Sequence, residues 1–133
     1  MLAAGKAKDA IAQHKTVLAG RERALGPDHP DTLAARAGLA AACDAAGQVG
    51  AALQARQEVC AGYEAAFGDA HPDTLASYAE LARACSAAGQ AGEAVRLLRD
   101  AIARSEQALS PGDPLTLALR QALAAVTGEM STR

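Results

Sequence analysis

Apolar residues recur along this chain with the spacing of a helix, and then the whole pattern recurs. Leu75, Tyr78, Leu81, Ala82 and Cys85 fall at i, i+3, i+6, i+7 and i+10, which puts them on one helical face. Ala94, Val95, Leu98, Ala101, Ile102 and Leu109 do the same for the following segment. Between the two lies Ala88-Gly89-Gln90-Ala91-Gly92. Gly89 suits the left-handed position that ends a helix. A connector this short turns the second helix back antiparallel to the first.

The pattern has a fixed period. Gly26-Pro27-Asp28-His29-Pro30-Asp31-Thr32-Leu33 returns 42 residues later as Gly68-Asp69-Ala70-His71-Pro72-Asp73-Thr74-Leu75. Leu39-Ala40 returns as Leu81-Ala82, Cys43 as Cys85, and Ala45-Ala46-Gly47-Gln48 as Ala87-Ala88-Gly89-Gln90. A period in this range is the signature of stacked supersecondary units. Pro30 and Pro72 fit only a first helical turn. They also bias His29 and His71 towards extended backbone, as a pre-helix residue needs. Asp31 and Asp73 then set a carboxylate near the positive end of each helix.

The expected elements are six helices at about 6–25, 31–46, 49–67, 73–88, 91–109 and 114–127. Pro114-Leu115-Thr116-Leu117 repeats Pro72-Asp73-Thr74-Leu75, and Gly5 and Ala10-Ile11 repeat Gly47 and Ala52-Leu53. The chain therefore reads as one all-α helical-repeat domain: a half unit at 1–25, units at 26–67 and 68–109, a half unit at 110–128 and a frayed tail at 129–133.

These residues resemble the tetratricopeptide repeat, in the longer-period form found in kinesin light chains and many bacterial scaffold proteins. The resemblance rests on Gly26, His29 to Leu33, Leu39-Ala40, Gly47 and Ala52, and on Gly68, His71 to Leu75, Leu81-Ala82, Gly89 and Ala94. It implies a right-handed α-solenoid of antiparallel helix hairpins. It also implies a groove, lined by the first helix of each hairpin, that holds a peptide or a partner helix. Family geometry would line it with Ala34, Ala37, Ala41 and Asp44, then Ala76, Ala79, Arg83 and Ser86, then Ala118, Gln121 and Ala125. Ala37, Ala41, Asp44, Ala76, Ala79, Glu80, Arg83, Ser86 and Gln121 are the expected partner-binding residues, with Asp44, Glu80 and Arg83 orienting the partner by charge.

Three departures stand out. The aromatic expected early in the first helix is Tyr78 in one unit, but Arg36 and Arg120 replace it in the others. The large apolar residue in mid second helix is Leu98, against His14 and Arg56 at the equivalent places. On these grounds the unit at 68–109 should pack most firmly. The Asn pair that clamps a peptide in such proteins is replaced by Ala37-Gly38, Ala79-Glu80 and Gln121-Ala122.

Composition narrows the reading further. Half of the chain is apolar, yet aromatics are 2% and Trp is absent. Most of the apolar share is Ala, the strongest helix former and the one that loses no side-chain entropy. The net charge of −2 gives no overall drive towards nucleic acid or membrane. Residues 1–25 are the exception, with five basic side chains against two acidic ones.

Cys43, Cys60 and Cys85 lack any CxxC spacing and read as small buried residues of a reducing compartment. Asp28-His29-Asp31 and Asp69-His71-Asp73 bring imidazole and carboxylates together, as a metal site would. Their place in the repeat explains them more simply as helix-start signals. No cysteine or serine has a His at helical spacing, and no Gly-Lys-Ser/Thr phosphate loop occurs.

The sequence thus predicts a non-catalytic protein–protein interaction scaffold with no cofactor and no metal, in a bacterial cytoplasm. The alternative is a self-assembly or regulatory arm of a larger signalling protein. The open ends are a second expected contact surface. Ile11, Val17 and Leu18 on the first helix, and Leu119, Leu123 and Val126 on the last, are expected to lie exposed and to permit homo-oligomers.

Overall fold

A computed structural model describes the backbone of residues 2–131 and the side chains of residues 5–128. Among them are six helices: α1 (Leu2–Leu25), α2 (Pro30–Ala45), α3 (Val49–Phe67), α4 (Pro72–Ala87), α5 (Ala91–Ala108) and α6 (Pro114–Ser131). The fold is an all-α solenoid of antiparallel hairpins. α6 runs on into the expected tail as far as Ser131; residues 132–133 of that tail lie outside the described residues.

The repeated octapeptides start helices by a side-chain cap. His29 sits at φ −67° and ψ 141°, and His71 at φ −68° and ψ 141°, the extended backbone imposed by the following proline. Each imidazole Nδ1 then accepts the backbone N–H two residues on, from Asp31 and from Asp73, at 3.1 Å. That satisfies one of the donors a helix start leaves open. Asp113 does the same work before α6, its Oδ1 accepting Leu115 N–H at 2.9 Å. The hairpin turns also match. Gly47 (φ 77°) and Gly89 (φ 81°) take left-handed backbone. Behind them, Gln48 N–H reaches Cys43 C=O and Gln90 N–H reaches Cys85 C=O, both at 2.8 Å, closing the helix end.

The chain forms two compact units, Met1–Ala66 and Phe67–Arg133. In the first, α1 packs on α2. Ile11, Ala42, Cys43 and Ala52 form a core cluster drawn from α1, α2 and α3, flanked by Ala10, Leu39 and Ala46. Leu33 is fully buried and leans over Gly62. A Cβ at Gly62 would stand 2.2 Å from Leu33 Cδ2, so this contact requires glycine. Thr32 is equally buried, and its hydroxyl donates to Gly26 C=O at 2.7 Å.

In the second unit α4 packs on α5 and α6, and α5 on α6. Leu75, Leu98 and Leu119 are fully buried, each contributing about 2 kcal/mol of apolar transfer. Ser105 and Thr116 share a buried hydrogen bond of 3.1 Å. Thr74, in the place that Thr32 takes in the first unit, is fully buried with no partner for its hydroxyl.

All three cysteines are buried, and none of them is in a disulfide. The expectation for the end helices needs correcting. Ile11 (7%), Leu18 (6%), Leu119 (0%) and Val126 (6%) are buried, and Leu123 is half-buried. Each end helix still has a neighbour in its own unit, and these residues face it. Val17 (47%) is exposed as expected, and Leu117 (49%), which was not expected, is the most exposed of the large apolar side chains described; Leu25, Val49 and Phe67 are exposed to a lesser degree.

Candidate functional site

Helical spacing decides which small residues share a face. On α4, Ala79, Ala82, Arg83 and Ser86 lie at i, i+3, i+4 and i+7; on α6, Ala118, Gln121, Ala122 and Ala125 follow the same rule. The two faces meet around a cavity of about 770 Å3, which Ala87, Leu98 and Val126 also line. Alanine fills little of the space between two helices, which leaves room for the hollow. Leu98, fully buried on α5, closes it below. The polar groups are Arg83, Ser86 and Gln121. Arg83 is exposed and hydrogen-bonds Glu80 at 3.2 Å, one turn away.

Of the expected partner-binding residues, Ala79, Arg83, Ser86 and Gln121 therefore come together around one cavity. Ala76 and Glu80 lie on the same helix, Ala76 exposed and Glu80 half-buried. Ala37, Ala41 and Asp44 lie on α2 in the other unit. There Asp44 is engaged by Arg56 at 2.7 Å. Ala118 and Ala125 line the cavity as family geometry implies. Ala82, Ala87, Leu98, Ala122 and Val126 were not anticipated. Leu98 carried a signal in being a large apolar residue in the middle of its helix, but apolarity alone marks a core residue whether or not it borders a hollow.

The structure also accounts for the substituted repeat positions. His14 replaces a large apolar residue, and its ring Cε1 stands 3.0 Å from where a Cβ at Gly38 would be. A bulky ring on α1 thus meets a missing side chain on α2. Arg56, at the equivalent place on α3, turns to Asp44 instead. Arg36 replaces the aromatic, and its half-buried guanidinium bridges Glu22 (3.2 Å) and Glu58. Arg120 repeats the first of these contacts with Glu106 at 2.8 Å. Tyr78, the true aromatic, receives a hydrogen bond from Arg104 at 3.1 Å, and that guanidinium lies 5.6 Å from the ring centroid. The partners Glu22 and Glu106 were legible in principle, because each precedes its arginine by the same interval.

The chemistry of the site is that of a surface. Burial, helped by the Glu93 carboxylate, pushes the Cys85 thiol up from its ordinary pKa, which disfavours the reactive thiolate. Among the described residues no group of three or more His, Cys, Asp or Glu side chains is placed to hold a metal ion. No described helix is long and apolar enough to cross a membrane.

Helix hairpins of one template, capped alike and hollowed by alanine, define a helical-repeat scaffold. Comparison with known proteins agrees. Models of the tetratricopeptide repeat match residues 1–65 and 74–115, and the chain belongs to the tetratricopeptide-repeat family. It is similar to a solved Podosopora anserina protein whose nearly identical TPR-like repeats carry the name kinesin light chain. Identity is 35% over 97% of this chain, with a TM-score of 0.84. A single-substitution variant of the same repeats gives 35% and 0.85. This chain spans 61% of the length of either structure. No curated protein matches it. Folds of this family generally mediate protein–protein contacts and are generally non-catalytic.

Proposed function

We propose that the chain is a protein-interaction scaffold of the long-period, kinesin-light-chain-like subclass, and that the cavity between α4 and α6 receives a helix or peptide segment of a protein partner. The observation that carries this is the cavity itself: about 770 Å3 walled mainly by alanine, with Arg83, Ser86 and Gln121 as its polar groups. Small residues let a helix approach closely, and its apolar face supplies the buried area. Arg83 and Glu80 orient it by charge. A bacterial cytoplasmic setting belongs to the same proposal. The test is a pull-down comparing the intact chain with Ala122→Trp and Arg83→Glu variants. The proposal expects a partner that is lost with Ala122→Trp and weakened with Arg83→Glu. An unchanged partner list removes the cavity as the site.

One observation favours a second reading, self-assembly through the ends. Leu33 and Leu75 are fully buried, whereas Leu117, at the same repeat position, is 49% exposed. Val59 is buried (7%), whereas its counterpart Val17 is 47% exposed. A helix from a second copy, or from further chain, would cover both. Sedimentation velocity over a range of concentrations tests this: association abolished by Leu117→Glu supports it, and a concentration-independent monomer removes it.

A further inference from the structure

One contact inside the first unit recurs on the first and last helices as two separate, unused halves. Fully buried Leu33 on α2 sits against Gly62 on α3, where a Cβ would collide with Leu33 Cδ2. Leu117 on α6 follows Leu33 by two periods of 42, and Gly20 on α1 precedes Gly62 by one. Leu117 is 49% exposed. Gly20 is exposed as well, with nothing within 4 Å of the place a Cβ would take. The knob and its seat are thus both present, each without the other.

The surroundings repeat this relation. On α3, Ala55, Val59 and Gly62 lie at i, i+4 and i+7, on one side of the helix, and all are buried. One period earlier α1 carries Gln13, Val17 and Gly20, all exposed. A hollow of about 480 Å3 lies against that side, lined by Ala12, Gln13, Thr16 and Val17. On α6, Arg120 binds Glu106 as Arg36 binds Glu22, but its side chain is 52% exposed against 15% for Arg36, which Glu58 also holds. Thr16 stands one period before Glu58, so on a docked α1 its hydroxyl could accept from Arg120. Charge distinguishes the modes of pairing. Two α1 helices face to face would set one basic segment against another. Residues 26–133 carry thirteen acidic side chains against eight basic ones, so the basic α1 is drawn to the other part of a second copy.

We propose that α6 of one copy and α1 of a second copy pair as a hairpin, with Leu117 seated on Gly20 as Leu33 is seated on Gly62. This rests on the self-assembly reading and specifies its two surfaces and their register. Covering Leu117 and Val17 supplies apolar area, and the glycine lets the helices approach closely. The two surfaces differ, so the contact is heterologous. Each copy in a pair keeps one unused face, which can take a further copy.

The experiment is sedimentation velocity on the full chain, on Gly20→Glu, on Leu117→Glu and on an equimolar mixture of those two variants, each over a range of concentrations. Both substituted positions are exposed, and circular dichroism checks that each variant keeps its helices. The expected result is association of the parent chain that grows with concentration, a monomer for each variant alone, and a one-to-one dimer in the mixture. Gly20→Glu retains an intact α6 face and Leu117→Glu an intact α1 face, so only the mixture can form one contact. Gly20→Ala puts a methyl under Leu117 of the neighbouring copy without entering the core of its own chain, and weakens association about tenfold. Association that persists in either variant alone, or a mixture that stays monomeric while the parent associates, overturns this pairing and leaves self-assembly through another surface. A parent chain that is monomeric at every concentration overturns both.

Discussion

Gly62→Ala should destabilise the first unit, although the same substitution 42 residues earlier should stabilise it. Both glycines lie inside helices, where alanine is preferred by about 1 kcal/mol. Gly20 on α1 has nothing within 4 Å of a new Cβ, so Gly20→Ala gains that preference in full. At Gly62 the new Cβ would meet Leu33 Cδ2 at 2.2 Å, Cγ at 3.3 Å and Cδ1 at 3.4 Å. Leu33 is fully buried and cannot simply rotate away. Forcing a methyl into a filled core costs about 1–3 kcal/mol. Set against the helix preference, the net effect is a loss of about 0–2 kcal/mol, which separates the two alanine variants by about 1–3 kcal/mol.

Urea denaturation followed by far-ultraviolet circular dichroism measures the gap. With a slope of about 1–3 kcal/mol per molar urea, the midpoints should differ by roughly 0.5–2 M. Leu33→Ala supplies the internal control. By itself it costs about 2–5 kcal/mol, but in that background the obstruction is gone, and Gly62→Ala should become favourable. The double-mutant cycle should therefore show a coupling of at least about 1 kcal/mol. If Gly62→Ala raises the midpoint as much as Gly20→Ala in both backgrounds, Leu33 is not seated on that glycine and the packing argument fails.

Other expectations follow from the same positions. His29→Ala should cost about 0.5–2 kcal/mol through the lost cap, whereas His29→Asp, which copies Asp113, should keep most of it; thermal melts of the two variants decide. Thr74→Val should be neutral or stabilising because the buried hydroxyl has no partner, whereas Thr32→Val should lose about 1–3 kcal/mol by leaving Gly26 C=O unsatisfied; opposite ranking in urea would contradict the hydrogen-bond assignment. Folding holds the Cys85 proton more tightly than the unfolded chain does. Stability is therefore unaffected below the ordinary thiol pKa and declines as pH climbs from there towards the raised value. The urea midpoint should fall more between pH 8 and pH 10 in the parent chain than in Cys85→Ala, and identical slopes would refute the shift.

Much of the fold could be read from residue order because its determinants are local. The His-Pro-Asp start, the glycine turn and the helical spacing each act within a few residues, and the repeat shows them twice. The expected exposure of Ile11, Leu18, Leu119 and Val126 failed for a different reason. A missing neighbour uncovers one side of a helix, and spacing alone does not say which side, so of the expected residues on α1 only Val17 is exposed, and on α6 the exposed place falls to Leu117. The cavities were less legible still. Ala79 and Gln121 could be put on the right faces, but the hollow between them depends on how far apart α4 and α6 stand, a distance set by Leu98 and the packing of α5. The seating of His14 over Gly38 likewise joins two oddities, a polar residue and a glycine, that looked unrelated along the chain.

Those pairings bear on where function resides in a repeat protein. Position 36, 78 or 120 must hold something large, and arginine with glutamate partners serves as well as tyrosine. Position 14, 56 or 98 tolerates histidine, arginine or leucine, provided that the facing helix adjusts. The template thus constrains volume and burial more tightly than chemistry, and residues that merely complete it say little about partners. Information about partners lies where a unit leaves its template incomplete. The alanines of α4 and α6 leave such a hollow. Filling that hollow from within the chain removes a surface and leaves the helix starts alone, which is why Ala122→Trp is a sharper probe of function than any substitution at the capping histidines.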